Sequence, residues 1–214
     1  MDDSTDSTGV RRTPYEIALL RGGPRAAVTV AVVALHLRGA VEAGPPGTVR
    51  ASAHDSAPAA DAGSPDRTRV LERAVHGALE EPAGLRELVR HPDVRWAVAE
   101  VRVDLAEAGL LRYPLLGPTR AARRQVRGLQ ERHPLPAGRH GLTQHDKLLA
   151  VALHGEPALS VFVPRFALRT GLLARVEIGN KNMLRPSRGS GTYGGSGGSH
   201  YCGGGGGCGG GGGD

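Results

Sequence analysis

Pro24 to Val41 reads PRAAVTVAVVALHLRGAV, and seventy positions later Val94 to Leu111 reads VRWAVAEVRVDLAEAGLL. Arg25, Ala27, Val28, Val33, Leu35 and Gly39 fall on Arg95, Ala97, Val98, Val103, Leu105 and Gly109 without a gap. Each copy reads as a helix ended by a glycine in the left-handed conformation, followed by a short apolar step into extended chain. In the later copy Val94, Val98, Val101, Leu105 and Ala108 recur at i, i+4, i+7, i+11 and i+14, one stripe of a half-buried helix. A second stripe, Glu100, Asp104 and Glu107, is matched in the earlier copy by Val30, Ala34 and Leu37. The earlier helix is therefore apolar nearly all round and has to be covered on both sides. The expected cover is the C-terminal half of the chain.

Outward from the first copy, Thr13-Pro14-Tyr15-Glu16 opens a helix with a capping threonine, a proline at the first helical position and a glutamate placed for a capping box. That helix stops at Gly22-Gly23, and Pro24 restarts the chain. Beyond Gly39, two short extended runs, 40–43 and 48–52, flank Gly44-Pro45-Pro46-Gly47, a hairpin signal. Helix, helix, hairpin is the order of a winged helix. The second unit repeats it with a helix from Arg69 to Leu79 whose Val70, Ala74 and Leu79 face inward, a short helix from Gly84 to Arg90, and the second copy. Its wing is short or missing. The expected fold is mainly helical: tandem winged-helix-like units with minor β-structure, then C-terminal helices. The boundaries read as a disordered N-terminus 1–12, a first unit 13–52, a linker 53–65, a second unit with a basic helix 66–133, a helical cover 143–178 and a disordered Gly/Cys tail 185–214.

At 214 residues the chain is long enough for one or two domains with a real core, built from Leu, Val and Ala because aromatics make up only 3%. Its formal charge of +6 comes almost wholly from arginine, since Lys147 and Lys181 are the only lysines. Such a balance suits nucleic acid, anionic lipid or acidic protein as partner. The start, MDDSTDSTGVRR, is acidic where a secretory signal would be basic and then apolar. The longest apolar run, Ala26 to Leu37, is interrupted by Thr29 and His36 and falls short of the roughly 20 residues a membrane span needs. These features predict a cytoplasmic chain without a transmembrane segment.

Arg120, Arg123, Arg124 and Arg127 fall at i, i+3, i+4 and i+7 and so share one helical face, with Ala122, Val126 and Leu129 on another. This is the candidate surface for an anion or a partner. Each arginine can neutralise one phosphate, or the face can be solvated or paired with the acidic stripe of the second copy. Catalytic residues are not found: no phosphate loop follows Gly22-Gly23, and no serine sits in a nucleophile elbow. His200, Cys202 and Cys208 in the tail are a candidate set for a soft metal, as thiolate and imidazole suit zinc or copper(I). Five residues between the cysteines is poor spacing for structural zinc. His140, His145, Asp146 and His154 cluster in sequence without a known ligand pattern, and His154 is placed to meet the C-terminal carbonyls of its own helix. Trp96 and Tyr113 read as core and boundary residues. No cofactor is expected.

The segments YEIALLRGGPRAAVTVAVVALHLRGAV, GLLRYPLLGPTRAARRQVRGLQERHPLP and LLAVALHGEPAL, with the terminal Gly/Cys tract, resemble a family of uncharacterised actinobacterial proteins. That family has a roughly 200-residue domain and a Gly/Cys-rich tail, and its members are often described as membrane proteins. The resemblance implies a peripheral or integral membrane association but no catalytic residues. The spanning segment that many members carry between the basic helix and the later helices is missing here. Three functions follow as expectations: a non-catalytic interaction or scaffold protein with a protein partner, a nucleic-acid-binding winged-helix regulator, or a carrier of a modified or metal-binding Gly/Cys C-terminal peptide.

Overall fold

Thr13 accepts the Glu16 amide at 3.3 Å and Glu16 accepts the Thr13 amide at 2.8 Å, so the capping box read from the sequence opens α1, Pro14–Leu37. Inside α1, Gly23 is non-helical, with φ 70° and ψ −162°, and Pro24 follows it. Proline has no amide to give and pushes its predecessor out of the helical region, which a glycine meets at little cost. A straight helix of 24 residues would measure about 36 Å. Yet Tyr15 near its start and Arg38 just past its end both bond to the carboxylate of Glu72. The Gly23 turn therefore doubles the chain back, and α1 is two helical segments, as the Gly22-Gly23 break predicts.

The computed structural model describes residues 12–52, 66–112, 117–139 and 141–173, all within one compact unit. The architecture is mainly helical. After α1 come β1 (Val41–Ala43) and β2 (Val49–Ala51), then α2 (Asp66–Gly77), α3 (Leu85–Arg90) and α4 (Pro92–Glu107). Next are β3 (Leu111–Arg112), β4 (Gly117–Pro118) and α5 (Arg120–Arg132). The described chain closes with α6 (Gln144–His154), α7 (Glu156–Phe162) and α8 (Pro164–Arg169). The residues expected to form the linker 53–65 and the tail 185–214 lie outside the described residues, as do those before Arg12, Tyr113, His140, His200, Cys202 and Cys208.

The internal repeat is present in the hydrogen bonds as well as in the letters. The Ala40 amide donates to Leu35 O at 3.0 Å and that of Gly39 to His36 O at 3.0 Å, while Leu110 and Gly109 donate to Leu105 O and Ala106 O, each at 2.9 Å. Gly39 and Gly109 sit at φ 78° and 68°, so both helices end in the same left-handed closure. Each then enters an antiparallel hairpin, β1 with β2 and β3 with β4. Ser52 N–H bonds Ala40 O and Thr119 N–H bonds Leu110 O, closing both hairpins at 2.9 Å. The second hairpin is present and short, with strands of two residues against three. In the first, Glu42 opposes Arg50 and pairs with it at 2.8 Å, and Val49 also exchanges two bonds with Ala83, tying the α2–α3 connection to the hairpin edge.

One core draws on every helix. Val28, Val30 to Leu35 and Ala27 are all buried, as an all-apolar helix requires, and α6 packs along α1 more extensively than any other element. The C-terminal cover extends to α8, where Phe166 stacks on His36 with ring centroids 3.7 Å apart, and Arg169 O accepts the Gly47 amide of the first hairpin at 2.8 Å. By length and composition α1 is apolar enough to cross a membrane, with mean hydropathy 1.4. The broken run misses this because Tyr15 to Leu20 adds to it, but 61% of that apolar window is buried within the protein.

Two sequence expectations change. The inward face of α2 is Leu71, Glu72, Val75 and then Leu79, with Val70 and Ala74 only half-buried at its margin. A glutamate on that face goes undetected because its partners, Tyr15 and Arg38, are distant in sequence. Trp96 is not a core residue: it is 63% exposed. Its counterpart in the first copy is Ala26, which is half-buried beside α6 and α7. Among the described residues the second copy has no such neighbour there.

Candidate anion-binding face

The segment that carries the arginines is a helix because Thr119 caps it, accepting from the Ala122 amide at 3.2 Å, and because Ala122, Val126 and Leu129 give it one apolar stripe. Ala122 and Val126 are buried and Leu129 packs against the same core. Gln130 fixes the far end by donating to Leu153 O of α6 at 2.6 Å. With that stripe inward, the opposite face turns to solvent, and Arg120, Arg123, Arg124 and Arg127 are all exposed. The structure thus brings together the four arginines that the spacing singled out. Among the described residues none of the four forms an ion pair. The acidic stripe of α4 does not neutralise them.

The position of Arg120, the first residue of α5, runs against helix stability. The first turn of a helix presents unpaired N–H groups and the positive end of the macrodipole, where carboxylates stabilise and cations do not. The first turn of α5 holds no acidic residue, and Arg120 opens it. Four guanidiniums, free amides and the dipole therefore add to one positive surface, each guanidinium with a planar fork of donors suited to phosphate or carboxylate.

The other candidates do not converge. Asp146 completes a capping box with Thr143, accepting at 2.7 Å from its hydroxyl and at 3.1 Å from its amide, and these bonds hold its carboxyl below the usual range. His145 is exposed on the first turn of α6. His154 does not meet the carbonyls of its own helix; its Nε2 donates to His133 O at 2.8 Å, because α5 ends alongside the last turn of α6. Among the described residues no three His, Cys, Asp or Glu side chains gather as a metal site would need.

Sequence reasoning missed the outward face of α4. Pro92, Trp96, Ala99 and Val103 recur at i, i+4, i+7 and i+11, and all four are exposed. The periodicity was legible, but the stripe through Val94 and Leu105 answers the same rule, and only burial separates the two. No family model, curated protein or solved structure matches this chain.

Proposed function

We propose that this chain is a non-catalytic interaction module that docks on an extended polyanion through the arginine face of α5. The reading rests on one observation: four exposed arginines without ion-pair partners share a single helix face, which Arg120 opens in the first turn, where positive charge costs helix stability. A solvated face selected for solubility alone has no reason to place Arg120 there. We read the two helix–hairpin repeats as winged-helix-like and as the frame that holds α5 outward, in keeping with the likeness of both units in cap and hairpin closure.

Sequence-specific reading of DNA is the weaker alternative. The helix before each hairpin would enter a groove in a winged helix, and base edges are read by Arg, Lys, Asn or Gln. The second segment of α1 is buried almost all round, and α4 turns Trp96, Ala99 and Val103 outward. Contacts by α5 to backbone phosphates are independent of sequence.

Fluorescence anisotropy of a random-sequence duplex, titrated across salt, tests the proposal beside an Arg120→Ala, Arg124→Ala, Arg127→Ala variant. Four phosphate contacts predict a log–log salt slope of about −3 to −4, reduced to about −1 in the triple variant. Anionic vesicles form a second arm, so that a lipid surface is told apart from nucleic acid. Failure of both to bind at low salt would remove the polyanion from the reading.

A further inference from the structure

The two copies of the repeat carry clefts at equivalent places. In the first, Gly22, Arg25, Ala26 and Thr29 form one wall of a cleft of about 410 Å³. In the second, Pro92, Arg95, Trp96 and Ala99 form one wall of a cleft of about 510 Å³. Each residue of the second set lies 70 positions after its counterpart. The opposite walls differ. The far wall of the first cleft is helical, through Val151 and His154 of α6 and Leu159 of α7. Among the described residues the second has an edge provided by Pro24 and Val89, and beyond it Trp96 and Val103 stand 63% and 55% exposed. The far wall that α6 and α7 supply in the first copy has no helical counterpart in the second among the described residues.

The charges around the open face specify what fits it. At 100° per residue, the stripe Pro92, Trp96, Ala99, Val103 points directly away from the buried Val94, Val98 and Leu105. Along one flank run Asp93, Glu100 and Glu107, seven residues apart; along the other run Arg95 and Arg102, also seven apart. An apolar seam with one acidic and one basic flank is the pattern by which paired helices choose partner and direction. A two-fold axis lying along two such helices sets the acidic flank of each against the basic flank of the other. A two-fold axis across them sets acid against acid. The seam is thus self-complementary in the parallel arrangement alone.

We infer that the α4 face is covered by the α4 face of a second copy of this chain, the two helices running parallel about a two-fold axis along them, with Trp96 as the central anchor. A contiguous exposed apolar patch rimmed by charge marks an interaction surface, and tryptophan and arginine are the residues that most often carry binding energy there. The contact is distinct from the arginine face of α5.

Sedimentation velocity of the full chain tests this, in reducing buffer so that Cys202 and Cys208 do not cross-link copies. The expected result is a concentration-dependent monomer–dimer equilibrium whose Kd rises at least about tenfold in Trp96→Ala. Arg95→Glu with Arg102→Glu, and separately Glu100→Lys with Glu107→Lys, each yield monomer where the parent is dimeric, and an equimolar mixture of the two variants restores a dimer. Arg95, Trp96, Glu100 and Glu107 are exposed and Arg102 is half-buried, and circular dichroism confirms that the variants fold. A chain that stays monomeric at the highest attainable concentration overturns the inference. So does a dimer indifferent to Trp96→Ala, or a mixture that fails to re-pair.

Discussion

Tyr15 and Arg38, at opposite ends of α1, bond to the two oxygens of one buried carboxylate, that of Glu72. Tyr15 is 3% exposed and Glu72 5%, so the network holds the doubled-back helix from inside. Glu72→Ala removes the shared acceptor and leaves a phenol and a largely covered guanidinium without it. The expected cost is about 3 kcal/mol, with Glu72→Gln losing less because an amide oxygen still accepts. Urea denaturation of both variants measures the difference, and a loss in Glu72→Gln as large as in Glu72→Ala would show that an amide oxygen does not stand in for the charged acceptor.

The same network carries a pH dependence. Burial, and then the neighbouring Glu72 charge, push the Tyr15 hydroxyl well above its ordinary value. A folded-state value above the unfolded one means that the folded protein holds the proton more tightly. The associated stability is intact below pH of about 10 and is lost as pH rises beyond it. Tyr15→Phe should flatten this alkaline loss while lowering stability near neutrality by about 1 kcal/mol, the worth of one hydrogen bond. Denaturation midpoints between neutral and strongly alkaline pH check both signs.

Leu35 and Leu105 are equivalent in the repeat and are 1% and 0% exposed. Aspartate at either place buries an unpaired charge, which costs about 4 kcal/mol or unfolds the chain. A melting temperature unchanged in both would refute the shared core.

Gly39→Ala and Gly109→Ala place a side chain at φ 78° and 68° with open space around the new Cβ. The cost is then backbone strain alone, about 1 kcal/mol at each site. Thermal melts should give the two variants similar shifts, as two instances of one motif.

Arg120→Glu separates binding from stability. A carboxylate at the start of α5 meets the positive end of the helix dipole and should stabilise the fold by about 0.5 kcal/mol. The same change removes a cation from the proposed docking face and should weaken duplex binding at low salt. A variant that is both less stable and unaffected in binding would contradict the electrostatic account of α5.

What was legible in the sequence was local or periodic. Thr13 and Glu16 name a cap because its partners lie three residues apart, Gly39 and Gly109 end helices because few other residues accept that conformation, and Arg120 to Arg127 share a face because the helix repeats every 3.6 residues. The need to cover the helix from Ala27 to Leu35 was also legible, since an element apolar all round has no face left for water.

Tertiary structure decided what depends on chain segments far apart in sequence. Glu72 is buried because the Gly23 turn brings Tyr15 and Arg38 to it from both ends of α1, an encounter across 57 and 34 positions that no window can register. Trp96 is exposed because α6 and α7 cover only the first copy of the repeat, so the same helical phase is interior at Val33 and surface at Val103. Periodicity fixes which residues share a face; which face meets water is set by the packing of distant helices.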